Sequence, residues 1–257
     1  MIPKTIHYCW FGRNPKPKLA EKCIKSWKKY CPDYALIEWN EDNYDLNSAP
    51  LYVRQAYDAQ KWAYVSDYVR LQVVYEYGGI YMDTDVELIK PLDSLLQYRA
   101  YFGFEDENYV ATGLGFGAEK GHPVVKEMLS SYDGCAFILP DGSLDEIPCP
   151  RRNTEALKKW GLVLGNQDQI LKESIRILPK DWLCPMHYYT GDLQKTPQTV
   201  SIHWYGGSWM EEKLWNEIAE ERRKYRVEKC KEKIRSLLGS RFYFWIKQLL
   251  GRGDKDG

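Results

Sequence analysis

Residues 78–88 read GGIYMDTDVEL and follow a helical pattern that runs over 53–77. Glycine reaches the left-handed conformation that ends a helix without Cβ strain, so Gly78 and Gly79 are expected to close that helix. The apolar run 80–82 then starts a short strand, and 86–89 continues extended up to Lys90 and Pro91. The N-terminal part already reads strand, helix, strand over 2–10, 18–29 and 34–39. Such alternation constrains the chain to an α/β class, with a mostly parallel, Rossmann-like sheet flanked by helices. Further strands are expected at 98–104, 114–118 and 200–205, and helices at 122–132, 156–160 and 169–175. The segment 134–152, rich in Pro, Gly and Cys, reads as a loop or short hairpin.

Along an extended segment side chains alternate, so Asp83 and Asp85 are expected to face one side and Thr84 the other. Two ionised carboxylates converging in a poorly solvated place cost free energy unless a cation or water compensates them. Oxygen ligands suit Mg2+ or Mn2+, and a diphosphate can complete the shell. In open α/β sheets ligand sites lie beyond the carboxyl ends of strands, where Asp83 falls. A bare D-x-D is also an ordinary pair of turn acids, and alone it favours that reading. The preceding helix adds weight. Ala63, Asp67, Arg70, Val74 and Tyr77 share a face, with Asp67 and Arg70 an i,i+3 pair of opposite charge. Tyr64, Val65, Tyr68, Val69 and Val73 make much of the helix surface apolar, so the pair is expected to be buried beside the carboxylates rather than solvated.

The chain has 257 residues, 44% of them hydrophobic, which is enough for one large domain, 1–212, with a tail, 213–257. Thirty-six basic residues balance thirty-six acidic ones, so net charge points to no nucleic acid or acidic polymer as partner. The basic charge gathers in the tail, where 222–252 holds eleven Lys or Arg against Glu228 and Glu232. Its last part, IRSLLGSRFYFWIKQLL, fits a helix lying in a membrane interface or, equally, a terminal helix docked on the domain; Gly239 counts against a continuous helix. Seven cysteines with no C-x-x-C pair match neither a disulfide framework nor a zinc site, which points to a reducing, cytoplasmic setting. No segment approaches the ~18 apolar residues of a membrane span and no leader pattern opens the chain, so a soluble or peripheral protein is expected. The 20 Tyr and 10 Trp suit sugar faces as well as ordinary core positions.

AYVSDYVRLQVVYEYGGIYMDTDVEL resembles the DXD-containing glycosyltransferases of family 32. IPKTIHYCWFG and IHWYGGSW resemble the first strand and the C-terminal His and Ser-Trp element of the same group, so the resemblance touches three separated places over about 1–210. It extends more distantly to the glucosylating domain of large clostridial toxins. The resemblance implies a GT-A fold, a nucleotide-sugar donor and retention of anomeric configuration. It implies Mn2+ or Mg2+ held by Asp83 and Asp85, with His203 as a late metal or diphosphate ligand. Ser66, Asp67 and Arg70 would contact the donor sugar, Tyr8, Trp10 and Gly12 would line the nucleotide base, and Ser208 and Trp209 would close over the diphosphate. Turnover would depend on Asp67, Arg70 and Asp85. His203 equally suits a core histidine in a buried strand, although Gly206 and Gly207 permit a close backbone approach to phosphate.

NQDQIL, at 166–171, resembles the D-Q-D segment of a related retaining family, but family 32 carries no such element there and a polar helix N-terminus explains it better. A haloacid-dehalogenase-type phosphatase is set aside because Glu87 stands where its motif has Thr or Val. The expected acceptor is a lipid-linked glycan, such as an undecaprenyl-linked one, in bacterial surface polysaccharide synthesis at the inner face of the membrane. The tail would provide contact with that surface. A toxin-like enzyme acting on a protein and a non-catalytic sugar-binding protein are the alternatives, and metal-dependent turnover separates the last from an enzyme.

Overall fold

A computed structural model describes residues 1–207 and 212–238. Its strands are β1 (Thr5–Cys9), β2 (Ala35–Trp39), β3 (Gly79–Tyr81), β4 (Val86–Leu88), β5 (Ala100–Phe104), β6 (Val110–Ala111), β7 (Phe116–Ala118), β8 (Gln169–Leu171), β9 (Ile175–Leu178) and β10 (Ser201–His203). The main sheet has the order β2-β1-β3-β7-β5-β9-β8, with β6 paired to β5. Strands β1, β2, β3, β5 and β9 run one way, and β6, β7 and β8 run against them, so the sheet is mostly parallel as expected.

Helices cover both faces, and the strands read accordingly as continuous apolar runs. In β5 all five residues, AYFGF, are buried. Ala100, Phe102 and Phe104 join the core built with α2 (Leu51–Asp58), α3 (Trp62–Tyr77), α4 (Pro123–Ser130) and α5 (Cys149–Lys158). Phe102 stacks on Phe116 of β7 at 5.4 Å. The other face carries α1 (Lys18–Tyr30) and the short α6 (Lys180–Leu183). There Trp27 meets Tyr8 edge-on at 5.4 Å and donates to the Val86 carbonyl, and a Cβ on Gly103 would lie 2.8 Å from Leu183.

Several expectations need correction. The helix expected over 53–77 is two helices, α2 and α3, separated at Gln60, which has φ 58°. A left-handed residue stops an α-helix, and neither Gly nor Pro marks this one in the sequence. The helix expected over 169–175 is absent: β8 turns through Glu173 and Ser174, at φ 56° and 55°, into β9, which pairs parallel with β5. Ile175 and Ile177 are buried with the more open Arg176 between them, a two-residue period that the short window hid. Residues 134–152 contain a bridge between Ile138 and Leu144, but α5 already begins at Cys149. Strands β4 and β10 pair antiparallel in a sheet of their own, with His203 opposite Val86.

The chain divides into two units, one of residues 1–186 continued from Leu193, the other of 187–192 with α7 (Glu212–Leu238). In the second unit Arg222 donates to the Tyr188 carbonyl at 2.9 Å and Lys229 pairs with Asp192 at 2.5 Å. Among the described residues no helix is long and apolar enough to cross a membrane. The aromatic stretch at 240–250, on which the membrane-interface expectation rests, lies outside the described residues. All seven cysteines are free.

Candidate active site

The end of α3 sets the site. Gly78 and Gly79 have φ 69° and 110°, and a Cβ on Gly78 would come within 2.7 Å of the Lys120 backbone nitrogen. The chain therefore leaves the helix through two glycines and enters β3 directly beside β1. β3 ends at Tyr81, and the chain then turns, with the Val86 N–H donating to the Asp83 carbonyl at 3.0 Å. Asp83 and Asp85 are thus brought together by a turn, not by strand alternation as the sequence pattern implied.

Asp83 accepts from the Tyr81 hydroxyl at 2.9 Å and lies 3.1 Å from Arg70 Nη2. The same guanidinium nitrogen is 2.9 Å from Asp67, while Nε donates to the Ser66 carbonyl at 3.1 Å. Arg70 is 4% exposed and Asp67 9%. Burial works against the guanidinium charge, but Asp83, Tyr81 and Asp67 hold it firmly protonated. Burial likewise pushes the carboxyls of Asp67 and Asp83 up, against the pull of Arg70. Gly113 permits this arrangement, since a Cβ there would fall 2.2 Å from Asp83 Oδ2.

Asp85 belongs to the second sheet's side of the site. His203 Nε2 lies 3.2 Å from its Oδ1, and the Gly206 N–H donates to Oδ2 at 2.7 Å. Burial opposes ionisation, yet the facing imidazole and these hydrogen bonds hold the Asp85 carboxyl below the usual range. His203 is raised well above an ordinary histidine: burial disfavours its charge and Asp85 outweighs burial. A Cβ at Gly206 would sit 3.2 Å from the Asp85 Cβ, so the missing side chain serves that contact.

One ligand atom each from Asp83, Asp85 and His203 lies within 4.8 Å of the others. Two carboxylate oxygens and one imidazole fit a divalent cation, and the nitrogen suits Mn2+ better than Mg2+.

Of the expected base-lining residues, Tyr8 lies within β1, and Trp10 and Gly12 follow its end. Tyr8 donates to Glu38 at 2.9 Å, Trp10 to the Asn14 carbonyl at 2.7 Å, and the Gly12 N–H to Glu41 at 2.7 Å. Gly12 has φ 90°, and a Cβ there would strike the Trp62 ring at 2.6 Å, so this loop rests on the start of α3. The Ser66 hydroxyl turns back to the Trp62 carbonyl at 3.0 Å, and only its own carbonyl reaches Arg70. Ser208 and Trp209 lie outside the described residues. Asn166 and Asp168 have structural duties: Asn166 accepts from the Lys180 N–H at 2.7 Å, and Asp168 pairs with Arg176 across β8 and β9 at 2.5 Å.

Three groups at the site had no reading in the sequence. Cys149 Sγ lies 3.7 Å from Arg70 Nη1, and Tyr81 supports both Asp83 and the face of Arg70, whose Cζ is 4.9 Å from the ring centroid. Glu105 follows β5, lies near Tyr205 and feels the charges of His203 and Asp83. An acid placed directly after an apolar strand was its signal, the same one that marked Asp83.

Residues 17–101 match the model of a family described as a glycosyltransferase sugar-binding region containing a DXD motif. This stretch of the chain is thus similar to a DXD-containing glycosyltransferase sugar-binding region. That region includes Asp67, Arg70, Asp83 and Asp85, and ends before Glu105 and His203. Inositol phosphoceramide mannosyltransferase 3 of Schizosaccharomyces pombe is 31% identical over 140 residues, 53% of this chain and 38% of that protein. Inositol phosphoceramide mannosyltransferase 1 of the same yeast is 27% identical over 139 residues, 50% and 42%. A human alpha-1,4-N-acetylglucosaminyltransferase is 32% identical over 74 residues, 28% of this chain and 20% of that one. The match thus spans less than half the length of these relatives. Among solved structures, the PaToxG glycosyltransferase has a TM-score of 0.45 at 20% identity, over 62% of this chain and 68% of that one. A glycosyltransferase involved in glycosylation of the major capsid of PBCV-1 has a TM-score of 0.43 at 12% identity, over 86% and 98%.

Proposed function

We propose that the chain is a retaining glycosyltransferase that moves a sugar from a nucleotide-sugar donor to a lipid-linked glycan acceptor. The observation that carries this reading is the meeting of Asp83, Asp85 and His203 next to the buried Asp67–Arg70 pair, with Asp67, Arg70, Asp83 and Asp85 inside the stretch similar to a sugar-binding region. Asp83, Asp85 and His203 would hold Mn2+ or Mg2+, which when bound supplies positive charge against a leaving diphosphate. Arg70, clamped by Asp67, the Ser66 carbonyl and Asp83, fixes the Asp83 carboxylate. The Gly206 N–H and His203 fix that of Asp85. Asp67 and Arg70 face the donor sugar in this reading, and the loop of Trp10 and Gly12 the nucleoside. Retention follows if the acceptor hydroxyl enters on the face that the diphosphate leaves and gives its proton to the departing phosphate oxygen, so that no strong base is needed on the protein.

Three fission-yeast relatives named as inositol phosphoceramide mannosyltransferases make GDP-mannose the first donor to test and a membrane-borne acceptor the first class. A bacterial surface polysaccharide intermediate fits that class, with the basic, aromatic tail sequence at the inner face of the membrane. Incubation of GDP-mannose, UDP-glucose, UDP-galactose and UDP-N-acetylhexosamines with the full chain and Mn2+ is expected to show hydrolysis of one donor. A chelator should abolish it, as should Asp85→Ala in a protein of unchanged circular dichroism. Turnover that survives the chelator sinks the metal role, and no turnover of any donor sinks the transferase reading. The anomeric configuration of the released sugar, read by NMR, tests retention. Deleting residues after Arg235 should weaken partitioning onto anionic vesicles, and unchanged partitioning would remove the tail from the proposal.

A further inference from the structure

Glu105 follows β5 at the edge of the sheet where Asp83 follows β3, because β5 and β3 run the same way with only β7 between them. Its N–H donates to the Tyr109 carbonyl at 2.8 Å, and Asp106 accepts from the N–H groups of Asn108 and Tyr109 at 2.7 and 2.9 Å. The loop is closed on itself, so the side chain stands on a fixed backbone. That side chain is half-buried and lies near the Tyr205 hydroxyl. The hydroxyl also meets Cys184 Sγ at 3.0 Å, and the Tyr205 ring lies 4.3 Å from that of His203. Burial pushes the Glu105 carboxyl up, while His203 and Tyr205 pull it back toward the charged form. Glu105 is nevertheless outside the three residues whose ligand atoms gather within 4.8 Å.

The sheet order gives this carboxylate a direction. The loop of Trp10 and Gly12 follows β1 on one side of β3, whereas β5 lies two strand spacings, about 10 Å, to the other side. A donor with its diphosphate at the Asp83–Asp85 turn and its nucleoside toward β1 presents its sugar toward β5. The attacking hydroxyl must arrive there too.

We propose that Glu105 contacts the acceptor, its carboxylate taking the hydrogen bond of the nucleophilic hydroxyl and aiming the oxygen at the anomeric carbon. This rests on the transferase reading above. In the step, the acceptor oxygen bonds to the anomeric carbon while the bond from that carbon to the donor phosphate oxygen breaks. The electron pair leaves with the diphosphate, the hydroxyl proton ends on its oxygen, and Glu105 keeps its charge throughout. Tyr205, backed by Cys184, stands near the carboxylate.

Water serves as the acceptor probe, since donor hydrolysis needs the same aim. With the full chain, Mn2+ and the donor that wild type hydrolyses, Glu105→Ala is expected to lower kcat about 10- to 100-fold. Donor KM, Mn2+ affinity and circular dichroism should stay within about twofold of wild type. Sodium formate, small enough to occupy the vacated space, should restore at least about fivefold of the loss, and should not restore Glu105→Gln, which fills that space. A Glu105→Ala kcat close to wild type overturns the inference. So does a loss carried by KM or by Mn2+ affinity, or a lack of formate rescue in a folded variant. A wild-type chain that hydrolyses no donor fails at the transferase reading itself, whereas Mn2+-dependent wild-type hydrolysis with an unimpaired Glu105→Ala sinks this inference alone.

Discussion

Arg70 forms ion pairs with Asp67 and Asp83 from a position 4% exposed, so its charge is compensated twice within protein. Such a cation is held by its partners more than it adds net stability, because burying each ion is itself costly. Removing it is a different matter. Arg70→Met leaves the buried Asp67 and the half-buried Asp83 without their cation and is expected to cost about 3–5 kcal/mol in urea unfolding. Arg70→Lys keeps the charge but loses the Nε–H bond to the Ser66 carbonyl that orients Nη2 between both acids, so it should lose less stability and still lose donor hydrolysis. Gly113 tests the same geometry from the other side. A Cβ there would press on Asp83 Oδ2 from 2.2 Å. Gly113→Ala should therefore fold yet bind Mn2+ at least about tenfold more weakly by calorimetry, because the carboxylate must swing away. Equal affinity would show that Asp83 is not held where it matters.

At the scale of elements, the junction of α3 and β3 joins helix end, sheet and site. Gly78 cannot accept a side chain against the Lys120 backbone, and its carbonyl receives His7 Nε2–H at 2.9 Å. Gly78→Ala should cost about 2 kcal/mol or more in urea unfolding, from left-handed strain and a clash with backbone that cannot yield. His7 Nδ1 accepts from Trp39 at 3.1 Å, so the ring is held in one neutral tautomer, and burial lowers its proton affinity. The unfolded chain, with an ordinary histidine value near 6.5, takes up the proton first as pH falls, so stability is lost below about pH 6.5 and unaffected above it. His7→Gln should flatten the fall in unfolding free energy between about pH 6.5 and 5.5 by up to ~1.4 kcal/mol. His122, also lowered by burial, keeps part of the slope in that variant. The glycine stop was legible in the sequence because it is a local backbone requirement. The break at Gln60 and strand β9 were not, since one depends on how α2 meets α3 and the other on pairing with β5, far away along the chain.

Over the whole molecule, the site joins α3, the turn after β3 and the small second sheet, with Asp85 and His203 in contact across antiparallel β4 and β10. Asp67, Arg70, Asp83 and Asp85 could be read from one stretch because a helix face and a turn place them locally. His203 needed a resemblance, and Glu105 stayed hidden because nothing near it in the sequence shows that β5 ends at the same edge of the sheet as β3. A site assembled from such distant segments couples ion binding to folding: an ion held by Asp83, Asp85 and His203 binds the native state and has no counterpart in the unfolded chain. At a hundredfold excess over Kd this stabilises the chain by about 2.7 kcal/mol, or a rise in Tm of roughly 5–10 °C at this size. Thermal melts with increasing Mn2+ should show that rise and its reversal by a chelator. Asp85→Ala and His203→Ala should each remove most of it while leaving a cooperative melt. If Mn2+ raises the Tm of Asp85→Ala as far as that of wild type, the ion is binding elsewhere and the Asp83–Asp85–His203 assignment fails.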